Sequence, residues 1–176
     1  MHRRGFTLIE LLVTVALLAA ILGIAIPTLS TIVRSTALSS STNRFLTTLA
    51  FARSEAVKRG ERITVRRSGT DWSAGWVVFV DRDGSGDRNN TEPLLRDSRA
   101  LRDGFRLTGN QMVSESLSYI PQGYPRTASG ALQMGTFTVC DDTGITTAGH
   151  ARAVVISATG RARVSHRISD IDKNDC

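Results

Sequence analysis

Cysteine is scarce in this chain, with only Cys140 and Cys176 among 176 residues. No CxxC pair and no Cys/His cluster occurs, which argues against a tetrahedral zinc site. Histidine is nearly as rare, at three residues. No HExxH, P-loop or nucleophile motif appears, so the sequence assembles no catalytic machinery and reads as a non-enzyme that requires no metal and no organic cofactor. Aromatic residues make up only 6%. Trp72 and Trp76 flank a turn and a strand start and read as packing residues. Tyr119 and Tyr124 could stack bases, although Tyr124 lies in Pro121-Gln122-Gly123-Tyr124-Pro125, which reads first as a turn. Internal repeats and long linkers are absent.

What is present is a basic, Arg-rich chain of net charge +6 with 41% apolar residues. The length favours one globular domain plus an extension, and the apolar content argues against disorder. Arginine in excess suits phosphate, nucleic acid or an anionic surface, or simply a solvated basic surface. The apolar residues crowd the N-terminus. Residues 1–5 (MHRRG) form a basic leader. From Phe6 to Ile26 the chain is apolar except for Thr7, Glu10, Thr14 and small residues. About 20 such residues span a bilayer as a helix, with Arg3 and Arg4 kept on the cytoplasmic side. No small-residue cleavage site follows the apolar run, unlike a discarded secretory signal. Glu10 is the odd feature, because a carboxylate in hydrocarbon is costly and marks a function or a partner. Pro27 removes one helical hydrogen bond and predicts a kink or local melting.

The segment Gly5-Phe6-Thr7-Leu8-Ile9-Glu10-Leu11-Leu12-Val13 resembles the prepilin motif of type IV pilins and type II secretion pseudopilins. The resemblance implies that a prepilin peptidase cuts after Gly5 and methylates Phe6, lowering the formal charge from +6 to +4 as Arg3 and Arg4 leave. It implies retention of the helix and pairing of Glu10 with the terminal amine of a neighbouring subunit. It also places the protein as a single pass in the inner membrane, its head in the periplasm and then outside the cell in an assembled pilus. In such an oxidising compartment Cys140 and Cys176 pair, closing a long loop worth about 3–4 kcal/mol. The alternative is two unpaired thiols, one on a frayed tail.

Helical spacing continues from residue 28 through Leu29, Ile32, Val33, Ala37, Phe45, Leu49, Ala52, Ala56 and Val57, with Ser39-Ser40-Ser41-Thr42 as a weak stretch. Gly60 predicts the stop. Seven strands are expected after it: 62–67, 75–81, 105–108, 117–120, 136–140, 153–158 and 161–167. The predicted organisation is leader 1–5, transmembrane assembly helix 6–27, amphipathic helix 28–60 and β-rich head 61–176. This is an α+β pilin fold, a long helix packed on an antiparallel sheet. Leu49 to Gly60, the segment Gly75 to Asp81, and Ala153 to Ser157 followed by Gly160-Arg161 are similar to the FimT/FimU/GspH group of minor pilins and pseudopilins.

Two further patterns bear on function. Between Thr143 and Ser169 no acidic residue occurs, whereas Arg152, Arg161, Arg163, Arg167, His150 and His166 do. A strand opening at Gly160 sets Arg161 and Arg163 on one face about 6–7 Å apart, a spacing that suits successive phosphates. Gly160-Arg161-Ala162-Arg163 resembles the GRxR element of FimT-type minor pilins, which implies nonspecific DNA binding during natural transformation through Gly160, Arg161 and Arg163. Charge alone adds Arg152, Arg167 and His166. The alternative is a solvated hairpin, or one paired with Asp170, Asp172 and Asp175 of the acidic tail. The implied partners are DNA, other major and minor pilins, the prepilin peptidase and the inner membrane. The rival roles are an architectural minor pilin that primes assembly at the tip and a type II secretion pseudopilin. The second pattern is Asp81-Arg82-Asp83-Gly84-Ser85-Gly86-Asp87, which resembles part of a calcium loop. The EF-hand pattern reads as incomplete, with Arg82 and Arg88 intruding and no terminal bidentate Glu in place, so the span reads first as a hairpin turn.

Overall fold

The computed structural model describes residues 7–142 and 150–171, excluding the side chains at 24–28 and 30. The expectations for Gly5, Phe6, Asp172, Asp175 and Cys176 therefore fall outside the described residues.

Helix α1 spans Leu8–Arg59. It opens on a capping pattern: the Glu10 amide donates to Thr7 Oγ1 at 3.4 Å, and the Leu11 amide to the Thr7 carbonyl at 3.2 Å. Helical backbone continues through Pro27 and through the serine run, where Thr42 Oγ1 donates back to the Leu38 carbonyl at 2.8 Å. The Gly60 amide still bonds the Ala56 carbonyl, and its φ of 66° ends the helix in the left-handed region. The chain divides into two compact units, residues 1–36 and 37–176. In the first, the large apolar side chains described between Leu8 and Leu22 are solvent-exposed. Among the described residues no helix is long and apolar enough to cross a membrane. The expected span 6–27 runs beyond the described side chains at both ends.

The second unit holds two four-stranded antiparallel sheets rather than the single sheet expected. The first comprises β1 (Ile63–Arg67), β2 (Trp76–Val80), β3 (Leu94–Ser98) and β5 (Ser116–Tyr119), in the order β3-β2-β1-β5. The second comprises β4 (Phe105–Gly109), β6 (Gly135–Asp141), β7 (Ala151–Ile156) and β8 (Ala162–Ser165), in the order β4-β6-β7-β8. Both sheets and the second half of α1 share one core, keyed by Leu38, Phe45, Leu49, Ala52 and Ala56 on the helix. These positions recur every three, four or seven residues, as one helix face requires. Leu38 takes the buried place expected of Ala37, and Val57 is exposed rather than buried. Phe45 makes edge-on contacts with Trp72, Trp76 and Phe137 at centroid distances of 5.5, 5.0 and 4.7 Å. Both tryptophans are thus core residues.

Candidate nucleic-acid interface

The turn joining β7 to β8 is built from Ser157 to Arg161. The Gly160 amide donates to the Ser157 carbonyl at 2.9 Å, and the Ser157 amide to the Arg161 carbonyl at 3.0 Å. Gly160 has φ of 79° and is buried. A Cβ there would overlap the Gly123 carbonyl oxygen and lie 3.2 Å from Arg53 Nε. Arg53 of α1 fixes this turn from below. Its Nε donates to the Gly123 carbonyl and a terminal nitrogen to the Thr159 carbonyl, both at 2.9 Å. The glycine therefore makes room for protein rather than for a ligand.

Arg161 immediately precedes β8, and Arg163 lies within it. Both are exposed, whereas Ala162 and Val164 are half-buried. The strand register fixes which face this is. Arg163 pairs with Val155 and Ser165 with Ala153. Directly paired residues share a face, so Arg163 stands on the side of the sheet where Ala153, Val155, Cys140 and Ile171 form a small apolar cluster. Val154, Ile156 and Ala162 face the opposite way, into the main core.

Arg152 belongs to that opposite side. It is 9% exposed, donates to the Ala151 carbonyl at 2.9 Å, and lines a small cavity of about 220 Å³ with Val164, His166 and the α1 residues Ser39, Thr42 and Asn43. Charge placed Arg152 and His166 in the patch that holds Arg163; strand alternation separates Arg152 from it, and His166, past the end of β8, lines the cavity beside Arg152 instead. Arg167 is exposed but lies past the end of β8, where it precedes a 3-10 turn at Ile168–Asp170. Strand parity does not carry it onto the Arg163 face. Tyr119 is fully buried and its hydroxyl is pushed up by burial, so it stacks on no base; Tyr124 is exposed.

The acidic residue that matters here is Asp170. Its carboxylate lies 3.4 Å from the Arg163 guanidinium. A hydrogen bond from Ser165 and the charges of Arg163 and Arg167 hold it below the usual carboxylate range. A depressed folded value means that the pair persists at neutral pH and is lost only as pH falls through that lowered value. Arg163 is thus partly neutralised at pH 7, and Asp170→Asn should strengthen binding of any polyanion to this face. The surface-pair range implies about a 2–5-fold gain at low salt. Comparing fluorescence-anisotropy titrations of the two proteins with labelled duplex DNA measures it, and equal affinities would mean the pair does not compete. Asp170 is one of the three tail aspartates expected from the sequence to be able to pair with the arginines, and it is found against Arg163. Its signal was present in the tail: an aspartate seven residues after an exposed strand arginine, behind Ser165.

Cys140 is fully buried in β6. Glu10 is exposed in the first turn of α1.

Residues 41–160 match the family described as type II transport protein GspH, and residues 1–26 match the prokaryotic N-terminal methylation motif. The chain is 28% identical over 168 residues to the pilin-like protein PilA1 of Thermus thermophilus, covering 93% of this chain and 99% of that one. Among solved structures, the type IV minor pilin FimU of Pseudomonas aeruginosa superposes with a TM-score of 0.59 at 25% identity, over 73% of this chain and 87% of that one. The minor pseudopilin EpsH of the Vibrio cholerae type 2 secretion system superposes with a TM-score of 0.51 at 15% identity, over 72% and 94%, a likeness of fold.

Proposed function

The chain belongs to the GspH family of pilin-like proteins, and from that membership we propose that it is a minor pilin of a type IV pilus whose exposed arginine strand holds DNA by its phosphate backbone during uptake. The observation that carries this reading is the pair Arg161 and Arg163, exposed at alternate positions just before and within the edge strand β8 while Ala162 between them is half-buried. Guanidinium groups in that arrangement meet successive phosphates and read no bases. The resemblance of Gly160-Arg161-Ala162-Arg163 to the FimT-type element supports it. In this reading the peptidase cuts after Gly5, Phe6 starts the mature chain, the apolar stem crosses the inner membrane once, and Glu10 pairs with a neighbour's amine during assembly with other pilins. Cys140 pairs with Cys176. The support for that bridge is that Cys140 is buried and is not a free thiol.

The test is a titration of the full chain in detergent micelles with duplex DNA at several salt concentrations. With two to four cations engaged, log affinity should fall against log salt with a slope of about −2 to −4. Arg161→Ala with Arg163→Ala should reduce that slope by about 2 and abolish transformation while pilus number stays constant. An unchanged slope in the double variant would remove the arginine strand from the interface. A second reading, an architectural minor pilin that primes assembly, is favoured by the Arg163–Asp170 pair. Absence of binding in both the native chain and Asp170→Asn at low salt would establish it over DNA uptake.

A further inference from the structure

The segment between β2 and β3 carries a second pattern, independent of the arginine strand. With Asp81 as position 1, residues 81–92 read D-R-D-G-S-G-D-R-N-N-T-E. An EF-hand loop takes oxygen ligands from positions 1, 3, 5, 7, 9 and 12, with glycine at 6, a main-chain carbonyl at 7 and a bidentate glutamate at 12. Asp81, Asp83, Ser85, Asp87, Asn89 and Glu92 occupy those positions, and Gly86 falls at 6 with φ of 77°. The expectation that the terminal glutamate is missing is therefore corrected: Glu92 stands at position 12.

The fold brings these groups together. Asp81, Asp83 and Glu92 each offer a carboxylate oxygen, and the three oxygens lie within 4.8 Å of one another. Asp81 and Glu92 are 1% and 2% exposed. One oxygen of Asp81 is satisfied by Thr64 Oγ1 at 2.6 Å and the Gly86 amide at 3.2 Å. Its other oxygen, Oδ1, is buried with no hydrogen-bond partner among the described residues. A buried carboxylate oxygen left unpaired is costly, and a cation is the partner that would relieve it. The other loop positions are hydrogen-bonded among themselves: Ser85 Oγ donates to the Asp87 carbonyl at 2.9 Å, and Asn89 Nδ2 donates to the Asp83 carboxylate at 3.1 Å while its Oδ1 accepts from the Thr91 amide and hydroxyl at 2.9 and 2.6 Å.

The neighbouring arginines do not fill the site. Arg66 takes the Asp87 carboxylate at 2.6 Å and the Gly86 carbonyl at 3.0 Å. The Asp87 main-chain carbonyl, the ligand position 7 needs, accepts from Ser85 Oγ rather than from an arginine. Arg88 donates to the main-chain oxygen of Glu92, not to its carboxylate. The Glu92 carboxylate accepts main-chain amides, from Arg82 at 2.8 Å and Asn89 at 3.0 Å. Among the described residues no Lys or Arg pairs with the carboxylates of Asp81, Asp83 or Glu92.

We propose that Asp81, Asp83, Ser85, the Asp87 carbonyl, Asn89 and Glu92 bind one calcium ion, which clips the loop between β2 and the edge strand β3. Hard oxygen donors with three carboxylates and a flexible loop suit Ca²⁺, whereas Mg²⁺ demands a tighter octahedron and keeps its waters. The affinity belongs with extracellular modules, at about 10⁻⁴–10⁻³ M.

The full chain in detergent micelles, stripped with chelator, is titrated with CaCl₂ and in parallel with MgCl₂. Calorimetry gives stoichiometry, and thermal melting gives the linked stabilisation. One Ca²⁺ per chain is expected, with the melting midpoint raised by about 4–7 °C at 10 mM. Glu92→Gln should weaken binding at least about tenfold through loss of the bidentate ligand. Because Glu92 also caps two main-chain amides, Asp83→Asn serves as the second variant: Asp83 is exposed, so its loss should weaken binding without disturbing the core. No heat and no shift up to 10 mM Ca²⁺ overturns the proposal. So does binding that survives both substitutions, or Mg²⁺ bound as tightly as Ca²⁺.

Discussion

Gly160→Ala should destabilise the head by about 2–4 kcal/mol, while leaving both arginines of the proposed DNA-binding face in place. Two costs combine. An alanine at φ of 79° sits in the left-handed region that L-residues avoid. Its Cβ would also overlap the Gly123 carbonyl oxygen, which is main chain and cannot swing aside. The same carbonyl accepts from Arg53 Nε at 2.9 Å, so moving it would also loosen the bond that fixes the β7–β8 turn to α1. Denaturant unfolding of the head, followed by tryptophan fluorescence of the buried Trp72 and Trp76, would report the loss as a lower midpoint at constant slope. A change below about 0.5 kcal/mol would mean that the turn relaxes freely and that the glycine is incidental. The result matters for function. A Gly160 variant that loses DNA binding says only that the turn is misplaced, whereas loss in a stable Arg161/Arg163 variant speaks to phosphate contact itself.

This division shows how far the sequence could be read. Helical spacing found the buried positions Phe45, Leu49, Ala52 and Ala56, because a face of α1 repeats within the chain itself. Seven strands were legible for the same reason. The eighth, Leu94–Ser98, was not: LLRDS has no alternation, and as an edge strand it buries little on either face. Its place is set by pairing with β2, through an irregular register between Val78 and Phe79. The candidate site divides along the same line. The alternation of Arg161 and Arg163 is local and could be predicted from a period of two. Which face Arg152 shares depends on Val155 standing opposite Arg163, a relation between distant residues that charge counting cannot supply. The reach of Arg53 to Thr159 spans 106 positions and left no mark in composition. The calcium pattern is the reverse case, fully written in the sequence and obscured by the arginines interleaved with its ligands.

Phe45→Ala should be the most damaging single truncation, at about 3–5 kcal/mol. Phe45 is fully buried and joins three elements through one ring. Its edge-on partners are Trp76 in β2 of the first sheet, Phe137 in β6 of the second, and Trp72 in the connection between β1 and β2. Trp72 and Phe137 also meet each other edge-on at 5.1 Å, so removing Phe45 leaves a void lined by rings that are already engaged. Each aromatic pair adds about 0.5–1.5 kcal/mol beyond area burial, which places this site towards the upper end of the range. For a chain of this size the melting midpoint should fall by about 6–20 °C. Phe45→Leu, which restores most of the volume without the ring edges, should recover more than half of the loss. If both variants were equally destabilised, the edge-on geometry rather than volume would be what binds the two sheets to α1. If neither were, the helix would be held by its aliphatic contacts at Leu38 and Leu49, and the aromatic cluster would serve the sheets alone.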